Sequence, residues 1–363
     1  MKVGVITLSL RYNYGGILQA YALQQVLKKL GHDPITMKLG RKFPLRPVEF
    51  AKYYVGRLIE KNISKPVTKK ELAIVCKNTD PFIDKYIKMS PPMYYLDKEW
   101  VRNQQFDAFV VGSDQILHPG PNPDIEDIYL SFVDNPRKVI YAGSFGPENC
   151  IYSEDKRLLC KEALKHFRGV SVRERDGKKK MKDFFDVDAE LVLDPTLLLR
   201  PEDYPVRMNS NTSNGNLVTY ILDPKEGKSS FIDGVAKTYG KQIVKANNES
   251  MDDLSLKPQD RVNPSVESWL QNIAKADYVI TDSFHGAAFS IIFQKQFVAI
   301  ANKERGYDRF LTLFDTLGLN ANLISDIDAA EVVIPVINYK DVNKRLDALR
   351  EKCYDFLKCA IER

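Results

Sequence analysis

Short apolar runs and stretches with a helical apolar period alternate along most of this chain. Val3 to Leu10 is largely apolar, as a strand buried on both faces requires, so Lys2 to Ser9 predicts a first strand. Gly15 to Leu30 carries its apolar residues at helical spacing up to Gly31, the residue type that most often ends a helix. Pro34 to Leu39 predicts a second strand, followed by short apolar runs at Phe106 to Val111, Lys138 to Ala142, Gly169 to Val172 and Glu190 to Leu193. Among these lies a helical stretch, Ser153 to His166. The pattern breaks at Arg200 to Asn216, where Pro201, Pro205 and the polar run Asn209 to Gly215 predict a linker. It restarts with strand Leu217 to Leu222, helix Ser229 to Tyr239, strand Gln242 to Lys245 and a helix from Pro264 with Asn263 as its cap. Strands Asp277 to Thr281 and Phe297 to Ile300 follow, and a long amphipathic helix spans Tyr339 to Ile361.

Repeated alternation of strand and helix predicts α/β architecture, with parallel twisted sheets covered by helices on both faces. At 363 residues the chain exceeds what one ordinary core organises, so two doubly wound, Rossmann-like domains facing a cleft are expected. The boundaries read as 1–205 for the first domain, 206–335 for the second, and 336–363 for a helix that crosses back to brace the first. In such sheets ligands bind beyond the carboxyl ends of the strands, which here points into the cleft.

Composition adds constraints. No window reaches the ~18 uninterrupted apolar residues of a membrane span, so a soluble protein is expected. Arg11, Tyr12 and Asn13 follow the first apolar run without a small-residue cleavage pattern, so that run reads as a strand and not as a signal core. The five cysteines, Cys76, Cys150, Cys160, Cys353 and Cys359, are scattered, without a CxxC pair or a nearby histidine. They suggest reduced thiols in a cytoplasm and no zinc site.

The net charge of +5 is unevenly spread: nine basic residues oppose Glu49 and Glu60 between Arg41 and Lys70. Tyr54, Val55, Leu58 and Ile59 form an apolar stripe there, flanked by Lys52, Arg57 and Lys61. This basic insertion, 41–70, suits either a helix lying on an anionic membrane surface or a solvated helix docked on its own domain. No nucleic-acid module accompanies it, so nucleic acid is not an expected partner.

Candidate chemistry gathers at strand ends. Tyr278 to Ser290 reads as a strand, a polar turn and a helix, placing His285 and Gly286 at a helix N-terminus where free N–H groups favour anions. An imidazole beside an anion site is a candidate proton donor, and a capping or core histidine is the plain alternative. Asn13, Tyr14, Gly15 and Gly16 open the first helix and could bring backbone N–H groups to a ligand. Ser113, Asp114 and Gln115 follow a buried strand and suit a sugar hydroxyl or an Asx turn. In Ser171 to Asp176, Arg173 and Arg175 emerge directly from a strand end. Arg173 is thus a candidate for holding a carboxylate or phosphate, or else a member of a surface pair with Glu174 or Asp176. Asp194-Pro195-Thr196 reads as structural. Asp114, Asp194 and Asp282 each stand alone at a strand end, without metal-ligand spacing, so no metal is expected.

Five segments then occur in an order that makes the chain recognisable. NYGGILQAYALQQVL (Asn13 to Leu27), Gly112 to Gln115, Ser171 to Arg175, Asp194 to Leu197 and TDSFHGAAFSIIF (Thr281 to Phe293) together resemble the polysaccharide pyruvyl transferase family, over about Met1 to Gly318. The resemblance implies a GT-B-like fold and a transferase that moves the pyruvyl unit of phosphoenolpyruvate onto sugar hydroxyls, commonly as a cyclic ketal. It implies as acceptor a surface or capsular polysaccharide precursor, including lipid-linked oligosaccharides, and no cofactor beyond phosphoenolpyruvate as co-substrate. His285 matches the family's catalytic histidine and Arg173 a donor-binding arginine. Ser283, Gly286, Lys303 and Arg305 join the expected donor side, and Asn13 to Gly16 with Ser113 to Gln115 the acceptor side. The expected location is cytoplasmic, with 41–70 as a peripheral contact on the inner face of the cytoplasmic membrane.

Two departures accompany the resemblance. Ser283 stands where the family often has an arginine, and Lys303 and Arg305 are expected to compensate. Leu117 and His118 follow GSDQ where tryptophan and asparagine are frequent, which makes His118 a second acid/base candidate. The rival readings are a glycosyltransferase using a nucleotide-sugar on the same frame and a non-catalytic glycan-binding partner.

Overall fold

The structure, a computed structural model, describes residues 1–39, 67–93, 96–120, 125–133, 137–146, 151–206, 215–301, 306–327 and 330–362. Lys303, Arg305, Cys150 and most of the basic insertion 41–70 lie outside the described residues.

Eleven strands among the described residues form two wholly parallel sheets. The first contains β1 (Lys2–Ile6), β2 (Asp33–Thr36), β3 (Ala108–Val111), β4 (Arg137–Gly143), β5 (Phe167–Val172) and β6 (Glu190–Leu191), in spatial order β2-β1-β3-β4-β5-β6. The second contains β7 (Asn216–Tyr220), β8 (Gln242–Lys245), β9 (Tyr278–Thr281), β10 (Gln296–Ile300) and β11 (Leu323–Ile324), in order β11-β10-β9-β7-β8. Each sheet starts in its middle and reverses direction once, beside β1 in the first and β7 in the second. A reversal of this kind opens a crevice at the carboxyl ends of the two central strands.

The central strands carry apolar residues on both faces because helices cover both. Val3, Val5 and Ile6 of β1 and all four residues of β3 are buried. One apolar cluster runs from the first sheet to the second through Leu18, Leu198, Phe289 and Leu346. Tyr14 is a principal bridge between the two halves. Its ring stacks on Trp269 with centroids 5.2 Å apart, and its hydroxyl donates to the Pro264 carbonyl at 2.7 Å.

The C-terminal helix, Tyr339–Glu362, returns to brace the first domain as expected. Arg350 Nε and Nη2 donate to the Leu197 and Leu199 carbonyls at 2.7 and 2.9 Å, while Leu193 N donates to Cys353 Sγ at 3.3 Å. Among the described residues, no helix is long and apolar enough to cross a membrane.

Boundaries differ from the sequence reading in specific places. The helix read from Pro264 is Val266–Lys275, and its cap is Ser265, whose Oγ accepts from Ser268 N at 3.1 Å. Asn263 is instead buried and joins two loops, accepting from Asn248 N at 2.9 Å and donating to the Tyr12 carbonyl at 3.3 Å. The helix read from Ser229 begins at Glu226.

Candidate active site

Arg173, the residue after β5, has a fully buried side chain. Its Nη1 donates to Asp194 Oδ2 at 2.7 Å, its Nη2 to Asp114 Oδ1 at 2.8 Å, and its Nε stands 3.6 Å from Glu174 Oε2. The guanidinium fork is therefore matched by carboxylates of the protein itself, which removes the surface-pair reading. Burial opposes the charge on Arg173, but Asp114, Asp194 and Glu174 more than offset it and raise its pKa.

Asp194 is the organiser of this cluster. It caps the short helix Pro195–Leu198, with Oδ1 accepting from Thr196 N at 3.0 Å and Thr196 Oγ1 at 2.7 Å. Its other oxygen takes Arg173 and the Ser113 hydroxyl, the latter at 3.2 Å. Burial works against ionised Asp194, yet His285, Arg173 and the Thr196 bonds hold its pKa below the ordinary value. Asp114 shows the same balance: burial is outweighed by Arg173, His285 and Arg309. The reading of Asp114 and Asp194 as isolated carboxylates is thus corrected, because folding brings both to one arginine. Asp282 belongs elsewhere. Its carboxylate accepts from Leu222 N at 2.7 Å, Asp223 N at 3.0 Å and Lys228 Nζ at 2.7 Å.

His285 enters this first-domain cluster from the second domain. It lies in the first turn of Phe284–Ile292, whose cap Ser283 accepts from Gly286 N at 3.4 Å. Gly286 lets that turn pack down onto β9, since a Cβ there would lie 2.1 Å from Thr281 Oγ1. His285 Nε2 is 3.8 Å from Asp194 Oδ2, beyond hydrogen-bond range, and has no hydrogen-bond partner. Burial pushes the imidazole down to about 4, with Asp194 opposing and Arg173 adding to the shift. The ring is therefore neutral at pH 7 and stands against, without being charge-paired to, the carboxylate.

Two guanidinium groups lie near the Phe284 ring. Arg173 Cζ is 5.1 Å and Arg309 Cζ 5.8 Å from its ring centroid, and the ring meets His285 edge-to-face at 5.3 Å. Burial, followed by repulsion from Arg173, pushes Arg309 down to about 10. Glu174 moves the other way: burial raises its carboxyl despite Arg173 and Ser144.

Other expected site residues fall into two groups. Gly15 lies directly against His285, with its own helix, Tyr14–Lys29, presenting its N-terminus there. Asn13 caps that helix by accepting from Gly16 N at 3.2 Å. Tyr14 and Ser113 are buried in support: Tyr14 bridges the sheets, while the Ser113 hydroxyl donates to the Ala142 carbonyl at 3.0 Å and the Ser113 N–H donates to Gln19 Oε1 at 3.0 Å. Gln115 packs against the turn at Gly146. His118 accepts from Gly120 N at 2.9 Å within its own loop, and burial and Lys180 favour its neutral form. Sequence reasoning did not single out Asp194, Glu174, Phe284 or Arg309 as site residues. The adjacency of Glu174 to Arg173 at a strand end was a usable signal for that residue; Arg309, beyond a loop and inside a helix, offered none.

Among the described residues, no group of three or more His, Cys, Asp or Glu side chains could hold a metal ion. A sequence profile for polysaccharide pyruvyl transferase matches residues 13–304. The chain belongs to the polysaccharide pyruvyl transferase family. It is accordingly a transferase, and His285, Arg173, Asp114 and Asp194 all fall within the matched segment. A comparison with curated proteins gave no match. Among solved structures, similarity extends to UDP-GlcNAc 2-epimerase from Neisseria meningitidis, at 12% identity over 97% of this chain and 99% of that one, with a TM-score of 0.48. A glycosyltransferase from Rickettsia africae is similar at 13% identity over 99% and 93%, with a TM-score of 0.46. ADP-heptose heptosyltransferase II from E. coli is similar at 11% identity over 97% and 99%, with a TM-score of 0.38. This chain's own strand orders give two parallel, doubly wound sheets of Rossmann-like type.

Proposed function

We propose that this protein transfers the pyruvyl unit of phosphoenolpyruvate to hydroxyls of a sugar acceptor, a precursor of a surface or capsular polysaccharide, forming a ketal. The observation that carries this reading is His285, an imidazole with an unpartnered Nε2 at a helix N-terminus, set beside a fixed arginine–carboxylate cluster.

The chemistry asks for a proton and for anion binding. His285 delivers a proton to the methylene carbon of the enol, leaving an oxocarbenium-like centre at the adjacent carbon. A sugar hydroxyl adds there and its proton returns to the imidazole. Phosphate then leaves with the electron pair of its C–O bond, and a second hydroxyl closes the ketal as its proton passes to phosphate. Water must be kept out, because it would compete with the sugar. An imidazole held near 4 carries almost no proton to give at pH 7 by itself. A bound trianion raises it, so the proton is present when the donor is.

Arg173 supports this reading through Asp114 and Asp194, which it fixes in place, and Ser283 and Gly286 through the N-terminus they open to the donor. Asn13, Gly15, Gly16 and Gln115 lie on the first-domain side, where the acceptor is proposed to sit. Lys303 and Arg305 remain proposed donor contacts, and the 41–70 stretch a proposed contact with an anionic membrane on its cytoplasmic face if the acceptor is lipid-linked.

A nucleotide-sugar donor is less well supported. The crevice between β7 and β9, where such a donor would place its phosphates, already holds the Asp282 carboxylate on two backbone N–H groups and Lys228. The deciding experiment is calorimetric binding of phosphoenolpyruvate, with a nucleotide-sugar panel as competitor, followed by phosphate release on adding glycan acceptors. Binding without competition is expected; nucleotide-sugar binding with no uptake of phosphoenolpyruvate overturns the proposal.

A further inference from the structure

We propose that Asp308 and Thr312 are a latch across the domain boundary: by capping the helix that follows Arg173 they hold the cleft shut, and substrate reaches His285 when the cap is released. The helix Arg175–Phe185 of the first domain begins two residues after Arg173, and Glu174 at its cap position makes no side-chain cap bond. Its first two N–H groups donate instead to the second-domain helix Tyr307–Leu317, Arg175 N to Thr312 Oγ1 at 3.2 Å and Asp176 N to Asp308 Oδ2 at 2.8 Å. A carboxylate placed there also meets the positive end of the helix dipole. Arg175 Nη1 adds an exposed ion pair to Asp315 Oδ2 of the same second-domain helix, at 2.6 Å.

The site is closed in this arrangement. The side chains of Arg173 and Asp194 are fully buried, His285 is 7% exposed, and Gly15 lies against the imidazole. A cavity lined by Arg173, Asp194, Phe284 and Thr312 holds about 60 Å³, whereas pockets that enclose small-molecule ligands hold ~300–1,000 Å³. A donor and a sugar therefore need the halves to part, and the contacts are divided so that they can. Asp114, Asp194 and Glu174, which surround the Arg173 guanidinium, all belong to the first domain and move with it. The 3.8 Å approach of His285 to Asp194 has no hydrogen bond to break. The latch itself consists of bonds at a helix terminus and one exposed pair, which water replaces at small net cost. Tyr14, buried against Trp269 and bonded to Pro264, is the contact that keeps the halves joined as they swing.

Hydrogen exchange of the ligand-free protein tests this in wild type, Asp308→Ala, Asp308→Asn and Thr312→Val. Release of the latch opens both walls of the cleft, so Asp308→Ala is expected to speed exchange about ten-fold at 192–198 of the first domain and 284–288 of the second, as well as at 175–178. Asp308→Asn keeps an acceptor for Asp176 N and should recover most of the protection, while Thr312→Val should move the same three segments in the direction of Asp308→Ala. If Asp308→Ala does not fold, Arg175→Met, which removes only the exposed pair, is expected to move the three segments together by a smaller factor. Faster exchange confined to 175–178, or no change at all, overturns the inference, because the contact would then be a local cap and nothing more. No substrate takes part, so this result and the uptake of phosphoenolpyruvate stand or fall separately.

Discussion

A β-carbon on Gly15 would lie 2.1 Å from Nδ1 of His285, so the first-domain helix and the second-domain imidazole touch with no space for a methyl group. The contact fixes the ring from the side opposite Asp194. Gly15→Ala is therefore expected to push His285 off its position while leaving the helix, Tyr14–Lys29, intact or stabilised by alanine's higher propensity. Turnover should fall by about 10²-fold, the scale that an ångström of misplacement costs. Phosphate release assays alongside circular dichroism check this, and a folded variant with wild-type turnover would show that the contact does not position the ring.

His285 itself makes a kinetic and a pH-dependent prediction. His285→Ala should lower turnover by ~10²–10⁴, with donor binding much less affected, because a general acid acts in the transition state. In the ligand-free protein the ring is held at about 4, against ~6.5 in an unfolded chain. Between those values the unfolded chain takes up a proton that the folded one refuses, so stability falls as pH drops from about 6.5 to 4. The loss from this residue is about 3 kcal/mol at the acid end. Urea unfolding at pH 7 and pH 4.5 should show a smaller acid loss in His285→Gln than in wild type; equal losses would mean that the imidazole is not buried neutral.

Asp194 joins Arg173, Ser113, Thr196 and His285, and its removal is expected to be felt in both stability and rate. Asp194→Asn keeps the shape but leaves the buried Arg173 with Asp114 and Glu174 alone. Breaking one side of a buried pair costs about 3–5 kcal/mol, and the amide's remaining acceptor places this variant near the lower end. The same change removes the nearest carboxylate that favours charged His285, so activity should drop beyond what the stability loss explains. Denaturant unfolding and phosphate release on the same preparation separate the two.

The two parallel sheets were legible because every central strand is a short apolar run and nearly every crossover a helix with an apolar stripe. Caps were less legible. Asn263 and Ser265 are both good cap residues two positions apart, and only the demand of Tyr12 and Asn248 for partners assigns Asn263 to the loops. For the site, His285 and Gly286 were readable from one strand–turn–helix segment. Arg173 was readable as an anion-binding type, but not that Asp114 and Asp194 would occupy it, since they lie 59 and 21 residues away in sequence. Long-range charge pairing leaves no local periodicity. Arg309 illustrates the limit: its approach to the Phe284 ring joins two separate helices, which composition and spacing do not encode.

Asp282 and Lys228 give a prediction in which the two halves of one buried ion pair are unequal. Asp282 holds Leu222 N and Asp223 N as well as the lysine, whereas Lys228 also donates to the Asp223 carbonyl at 2.7 Å. Asp282→Ala would strand a buried ammonium and two backbone donors in the turn after β7, at about 3–5 kcal/mol. Lys228→Met leaves the carboxylate with its two N–H bonds and replaces the stem by apolar volume, so it should cost distinctly less. Chemical denaturation of both variants checks the order. A larger loss in Lys228→Met would mean that the ammonium, and not the carboxylate, holds the turn after β7 closed, and the crevice between β7 and β9 would then be open to a ligand phosphate in the lysine's absence.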